Sequence, residues 1–277
     1  MSFDITPYRD RNPSEVRQLI RAGILDFPTA GMCRGYAQAN LVILPGEYAG
    51  DFEEYTRRNP FPCPVLEIVR GTPETHAMGE GGNIVTDIPR YRVYEYGVFT
   101  KELTDASDYW QDGYVGFLIG CSFSFEEALM DAGIPVRHIE QGCNVPMYKT
   151  NIQTAKAGPF EGPMVCSRRP MTPEQAQRAY DITAKMPNVH GAPVQIGEPE
   201  KIGVKDVMKP DYGDPVEIRP GEVPVFWPCG VTPQAAVENA KPPVVITHAP
   251  GHMFITDILN SQLNDYLEKA KRGGGAQ

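Results

Sequence analysis

No segment of the 277 residues approaches the roughly 20 consecutive apolar residues that a membrane-spanning helix requires. Positive charge is also scarce, with 26 Lys+Arg against 35 Asp+Glu and a formal net charge of -9. The long-range field of such a chain repels phosphates, which argues against nucleic acid or an anionic membrane face as partner. Neither G-x-G-x-x-G after a strand nor G-x-x-x-x-G-K-[ST] occurs, so a nucleotide cofactor has no support. None of the six cysteines (Cys33, Cys63, Cys121, Cys143, Cys166, Cys229) forms a Cys-x-x-Cys pair, and no Cys/His spacing calls for structural zinc. We therefore expect neither metal nor cofactor. The first residues, Met1-Ser2-Phe3-Asp4, carry no basic or apolar leader, so reduced thiols and a cytoplasmic protein are expected.

What is plentiful is Gly and Pro, 27 of each, spread along the chain as stiff turns rather than as a disordered tract. The length suits one large domain or two modest ones. A first helix is marked by Asn12 as cap, Pro13 at the first helical position, Glu15 at capping-box-like spacing and Gly23 as its stop. The small residues Thr29-Ala30-Gly31 and Gly35 precede the apolar run Leu41-Val42-Ile43-Leu44. That is compatible with a loop approaching a ligand closely, with Arg34 as its fixed charge, and equally with a tight turn bearing a surface Arg.

Two later segments read alike. Val115–Gly120 is an apolar strand followed by Cys121-Ser122-Phe123-Ser124, a helix stopped by Gly133, and a strand Pro135–Glu140. Val223–Pro228 is followed by Cys229-Gly230-Val231-Thr232, a helix from Pro233 to Ala240, and a strand Pro243–His248. Both suggest βαβ units. The expectation is an α/β protein, with a mixed or parallel sheet bearing helices on both faces and a smaller inserted α+β domain. The main domain would take residues 1–150 and 221–277, and the insert 151–220. Thr256-Asp257 reads as the cap of an amphipathic last helix reaching Lys271.

Were these strands parallel, the turns after them would share one sheet edge, where α/β sheets present helix N-termini to anionic ligands. Cys121, Ser122, Ser124, Cys229, Gly230, Thr232, His248 and His252 would converge there. Gly120–Ser124 resembles a nucleophile elbow, except that Ser124 stands where the elbow wants Gly; it also reads as an anion cradle or as a capped helix start. His248-Ala249-Pro250-Gly251-His252 cannot form a continuous helix, so it is not an HExxH zinc site. A loop presenting imidazoles as proton shuttles, oriented by Asp257, suits it better. His138 and Glu140 would share a strand face, and the loop through Asn144 and Tyr148 is dense in amides and hydroxyls.

Taken in order, these runs resemble a known family. They are Thr29-Ala30-Gly31, Gln38-Ala39-Asn40, Asn59-Pro60 with Cys63-Pro64, Ile119 through Glu126, Val136 through Glu140, Asn144 through Tyr148, His190-Gly191-Ala192-Pro193, Phe226-Trp227 with Cys229 through Gln234, and His248 with Pro250 through Asp257. The chain resembles, over nearly its whole length, the bacterial proteins named as hydro-lyases that share a domain with D-glutamate cyclase. The resemblance implies a carbon–oxygen lyase, and the animal relative converts D-glutamate to 5-oxo-D-proline and water, with an additional domain that this chain lacks. For such a reaction His248 or His252 would serve as base and His138 or Glu140 as acid. The turns after Cys121 and Cys229, with Ser122, Ser124 and Thr232, would steady the oxyanion, and Arg34 or Arg137 would hold the α-carboxylate. Two other readings stay open: a cofactor-free amide or lactam hydrolase with Ser122 or Cys121 as nucleophile, and a carboxylate-binding protein without turnover. A small-molecule carboxylate is the expected partner, and homo-oligomerisation is left open.

Overall fold

The computed structural model describes residues 4–273, with side chains as far as Lys269. The strands are β1 (Tyr36–Pro45), β2 (Val65–Arg70), β3 (Glu74–Thr75), β4 (Gly82–Asn83), β5 (Tyr91–Glu95), β6 (Val98–Leu103), β7 (Tyr114–Gly120), β8 (Met147–Gln153), β9 (Pro163–Met171), β10 (Gln195–Ile196), β11 (Val223–Pro228), β12 (Val244–His248) and β13 (Phe254–Leu259). The α-helices are α1 (Pro13–Arg21), α2 (Gly46–Arg58), α3 (Phe123–Asp131), α4 (Arg137–Glu140), α5 (Pro173–Thr183), α6 (Thr232–Ala240) and α7 (Leu263–Gly273). No helix among the described residues is long and apolar enough to cross a membrane.

Local chemistry explains the best-marked elements. The Asn12 side chain accepts from Ser14 N–H and Pro13 opens α1, while Thr172 and Gln175 close a reciprocal capping box on α5. β1 is apolar throughout because both its faces are covered. Ala37, Ala39, Leu41 and Ile43 enter one core, and Val42 and Leu44 enter another. The second core contains Phe52 and Tyr55 of α2 and Ala236 and Val237 of α6; the first contains residues of α3, α5 and α7. Helices therefore cover both faces of the larger sheet, as expected for the mixed α/β class.

The strand directions differ from expectation. The larger sheet runs β2-β7-β1-β12-β5-β6, with β13 also on β1, and the smaller β10-β11-β9-β8; every pairing in them is antiparallel. The two presumed βαβ units fail for separate reasons. After α3 the chain does not return as a strand, because Val136 and Ile139 meet the core at a spacing of three, which suits the short helix α4. In the other segment β11 belongs to the smaller sheet and β12 to the larger, so α6 passes between sheets. The smaller sheet takes in β8 and β11 on either side of residues 151–220.

Thr256 and Asp257 lie within β13, whose Phe254 and Ile255 pair with β1, so the last helix starts only at Leu263. That helix includes Lys271, and residues 274–277 lie outside the described residues. Residues 71–83 are more than an exposed loop, since β3 and β4 pair there and Met78 is buried.

Gly120 ends β7 against the carbonyl oxygen of Asn188, where a Cβ would collide with fixed backbone. This close approach brings the loop before His190 onto the turn that starts α3. Gly120→Ala should therefore destabilise the fold by roughly 1–3 kcal/mol, read as a lower urea midpoint at unchanged slope. An unchanged midpoint would show that the loop can withdraw freely.

Candidate active site

The turn after β7 and the first two turns of α3 carry a charge into the interior. Phe125 and Leu129 of α3 enter the core, and Glu126, beside Phe125, follows them to 2% exposure. Opposite it stands Arg169 of β9, 0% exposed. In a strand, residues two apart share a face, so Ser167 lies beside Arg169 while Arg168 points the other way.

The Arg169 guanidinium is almost fully committed. Its Nε donates to Glu126 Oε1 at 3.0 Å and Nη2 donates to the same oxygen. Nη2 also donates to Ser122 Oγ at 3.0 Å, and Nη1 to Ser167 Oγ at 3.0 Å. Four of its five N–H groups are thereby used. Its flat face lies over the rings of Phe125, at 4.8 Å, and Trp227, at 5.6 Å.

His138 of α4 puts Nε2 3.2 Å from the same Glu126 oxygen, at ion-pair range but not aligned to donate. Burial alone would push the Glu126 carboxyl up. Its neighbours His138 and Arg169 outweigh it, so the carboxyl lies below its ordinary value and is ionised at neutral pH. Oε1 takes all these contacts. Oε2 has no hydrogen-bond partner among the described residues, and Glu126 lines a cavity of about 250 Å³.

Phe123, Met130, Gln38, Asn260 and Arg34 also line this cavity. Arg34, half exposed at the rim, makes only long contacts of 3.4 Å with Glu127 and Asp131. A second hollow of about 510 Å³ beside Phe61 and Pro64 is larger but has no buried charged group in its wall.

Several residues singled out in the sequence gather near this cluster. Cys121 and Cys229 pack in one apolar group with Phe123 and Met253, and both thiols sense the charges of Glu126 and Arg169. Burial pushes Cys121 up strongly and Cys229 up to about 11, so both are neutral thiols near pH 7. Ser124 accepts from Gln38 N–H at 3.2 Å, and does not cap α3, whose N-cap is Ser122 without a side-chain bond. Thr232 donates to Cys229 O at 2.7 Å, and Gly230 packs against the Asn40 amide. Asn144 Nδ2 donates to Pro250 O at 3.2 Å, joining the loop 144–147 to the loop of His252.

Four others are spent elsewhere. Glu140, on a helix rather than a strand, turns away from His138 to pair with Arg137 at 2.9 Å; Arg137 in turn meets Glu222 at 2.6 Å. Tyr148 donates to Val207 O at 2.5 Å and accepts from Arg168. Asp257 is paired with Arg17 at 2.8 Å beside α1, so it does not orient either histidine of the 248–252 segment.

The histidines play distinct parts. β12 and β13 occupy the same edge of β1, and where one gives way to the other Leu41 N–H donates to His248 Nδ1 at 3.1 Å. His248 thus substitutes for a ladder bond. His252 Nδ1 lies 3.1 Å from Pro250 O, and burial lowers its basicity. His190 puts Nδ1 2.8 Å from Phe61 O, which can only accept. Its Nε2 therefore carries a lone pair, buried and without a partner among the described residues.

Sequence reasoning gave no role to Glu126, Arg169, Ser167 or Asn260. One signal was available: adjacent Arg168-Arg169 inside an apolar strand, where alternation forces one of them inward. No group of three or more His, Cys, Asp or Glu among the described residues is placed to hold a metal ion.

The family model described as D-glutamate cyclase matches residues 115–257, a stretch that holds Glu126, His138 and Arg169. The chain belongs to the D-glutamate cyclase family. A protein of Thermoanaerobacter sp. (strain X514), named a "putative hydro-lyase", is 56% identical over 92% of this chain and 97% of its own. One of Stutzerimonas stutzeri (strain A1501), named likewise, is 54% identical over 94% and 99%. One of Bacillus subtilis (strain 168), also so named, is 55% identical over 91% and 98%. Membership of the D-glutamate cyclase family is thus consistent with a lyase. A solved nitrogen repressor-like protein of Methanococcus jannaschii is similar at a TM-score of 0.37 and 10% identity, over 90% of this chain and 99% of its own, too slight a likeness to bear on the fold.

Two buried histidines should set the acid stability of this family member. Burial, opposed by the bond to Phe61 and reinforced by Arg169, pushes His190 down to about 4. Burial, opposed by the Leu41 carbonyl oxygen 3.3 Å from Nδ1 and reinforced by His252 and Arg92, does the same to His248. Because the folded values lie below the ordinary 6.5, stability is full above that pH and declines towards pH 4, by roughly 3 kcal/mol for each ring. Urea unfolding between pH 7 and 4.5 measures the slope, which His190→Gln or His248→Gln should flatten. An equally steep slope in both variants would contradict the assignment.

Proposed function

We propose that this protein is a hydro-lyase acting on a small amino acid, with D-glutamate to 5-oxo-D-proline and water as the leading reaction, and that Glu126 is its proton relay. The observation that carries this reading is the divided carboxylate of a residue lining a cavity: Arg169 bonds one oxygen, with His138 close by, and the other oxygen makes no hydrogen bond among the described residues.

Ring closure of zwitterionic glutamate makes one bond and breaks one. The nitrogen attacks the γ-carboxyl carbon, and one carboxyl oxygen leaves as water. The ammonium loses two protons, and both end in that water, so the reaction is balanced without a cofactor. A carboxylate that is ionised and has a free oxygen can take each proton from nitrogen and hand it to the departing oxygen. Arg169 and His138 hold the charge on Glu126 without occupying its working oxygen. The cavity walls of Phe123 and Met130 bend the chain so that amine and carboxyl meet, which replaces a costly search by positioning. Arg34 at the rim is the cation for the α-carboxylate.

Neutral thiols at Cys121 and Cys229, and a Ser122 hydroxyl that accepts from Arg169 and makes no hydrogen bond to a base among the described residues, favour this non-covalent route over a nucleophilic hydrolase. We place the reaction in amino acid metabolism and in the cytoplasm, a reading supported by six free cysteines.

Purified protein incubated with D-glutamate, and separately with 5-oxo-D-proline, should interconvert them as followed by chiral chromatography. Glu126→Gln should lower the rate by about 10²–10⁴-fold, with near-ultraviolet circular dichroism confirming that the variant is folded. No interconversion by the wild type, or an undiminished rate in a folded Glu126→Gln protein, would overturn the proposal.

A further inference from the structure

We infer that Asn260 is the residue that selects an amino group in the cavity, so that the site distinguishes amino acids from carboxylic acids of the same shape. The inference deepens the function proposed above and rests on the same cavity.

Asn260 stands in the turn between β13 and α7, and its backbone N–H donates to Gly35 O at 2.8 Å. Its Nδ2 donates to Glu127 Oε2 at 3.2 Å. Because a carboxylate can only accept, this bond fixes which end of the amide is nitrogen and leaves Oδ1 as an acceptor. That oxygen is buried and has no partner among the described residues. Asn260 lines the same cavity as Glu126, whose Oε2 also lacks a partner.

An unpaired buried acceptor is costly, and a donor entering the cavity relieves the cost. Asn260 Oδ1 and the ionised Glu126, residues that line one cavity, suit a group with several N–H donors and a positive charge. An ammonium has three. The α-carboxylate would be repelled there by Glu126 and by neighbouring Glu127, so it must turn towards the rim, while the γ-carboxyl folds back beside the ammonium that neutralises it. Arg34 waits at the rim, with no contact shorter than 3.4 Å to its own carboxylates. The same Glu127 contacts both Arg34 and Asn260, through separate oxygens, so the two recognition groups are held by one side chain. The arrangement fits a zwitterion, with its ammonium inward and a carboxylate outward.

The test compares D-glutamate with glutarate, which has the two carboxylates and lacks the amine, by calorimetric titration of wild type and Asn260→Leu. We expect the wild type to bind D-glutamate at least tenfold more tightly than glutarate. Asn260→Leu should lose most of that preference while binding glutarate as before, which also reports that the variant is folded. A wild type without preference for the amine, or one that binds neither acid, overturns the inference whatever the variant does. So does an Asn260→Leu protein that keeps the preference. Amine-selective binding through Asn260 without ring closure would leave the inference standing and remove the cyclase reading. Ring closure that is equally fast in wild type and Asn260→Leu would do the reverse.

Discussion

A guanidinium and a carboxylate buried together are expensive, since each gives up its water at a cost of several kcal/mol. Arg169 and Glu126 offset that cost because four of the five guanidinium N–H groups are used and the guanidinium faces are covered by Phe125 and Trp227. The partners come from different elements: Glu126 from α3, Arg169 and Ser167 from β9, Ser122 from the turn after β7, His138 from α4 and Trp227 from β11. The pair therefore fastens the smaller sheet to the larger one. Loss of either charge leaves the other buried and uncompensated, which typically costs about 3–5 kcal/mol. Structural and chemical roles are joined here, because the contacts that hold the sheets together also keep one oxygen of Glu126 free and charged.

The larger sheet supplies the rest of the frame. β1 is shared by β7 on one edge and by β12 and β13 in turn on the other. The change of partner leaves a gap in the ladder, which the His248 ring fills at Leu41, and the chain between the two strands forms the loop of Gly251 and His252. That loop meets Asn144, and Met253 beyond it packs with Cys121 and Cys229. The turns singled out by sequence thus meet through antiparallel pairing and a partner switch on β1, a route quite unlike a common edge of parallel strands.

Local signals in the sequence were reliable where one element decides its own form. Asn12-Pro13 and the Thr172–Gln175 capping box mark helices that exist, and the continuous apolar run of β1 marks a strand buried on both faces. Signals failed where a distant partner decides. Val136 and Ile139 fit a strand or a helical turn equally well, and only the core they enter selects α4. Phe254–Leu259 fits the start of an amphipathic helix until β1 supplies an unpaired edge. The site was legible only in part for the same reason. Ser122, Cys121 and His138 announce themselves as chemical groups, but Glu126 and Arg169 acquire meaning only once α3 and β9 face each other. Glu140 and Asp257, attractive as carboxylates, are spent on Arg137 and Arg17.

The central claim is that Arg169 and His138 keep a buried Glu126 ionised. It is tested most directly by carbon-13 NMR of carboxyl-labelled glutamate in the folded protein, with the Glu126 resonance assigned by its absence in Glu126→Gln. The account predicts a carboxylate signal at neutral pH that begins to titrate only below the ordinary glutamate value, and that shifts upward when Arg169 is replaced by Met. A Glu126 resonance that protonates above the ordinary value in the wild type would contradict the account, because burial would then have outweighed Arg169 and His138 together.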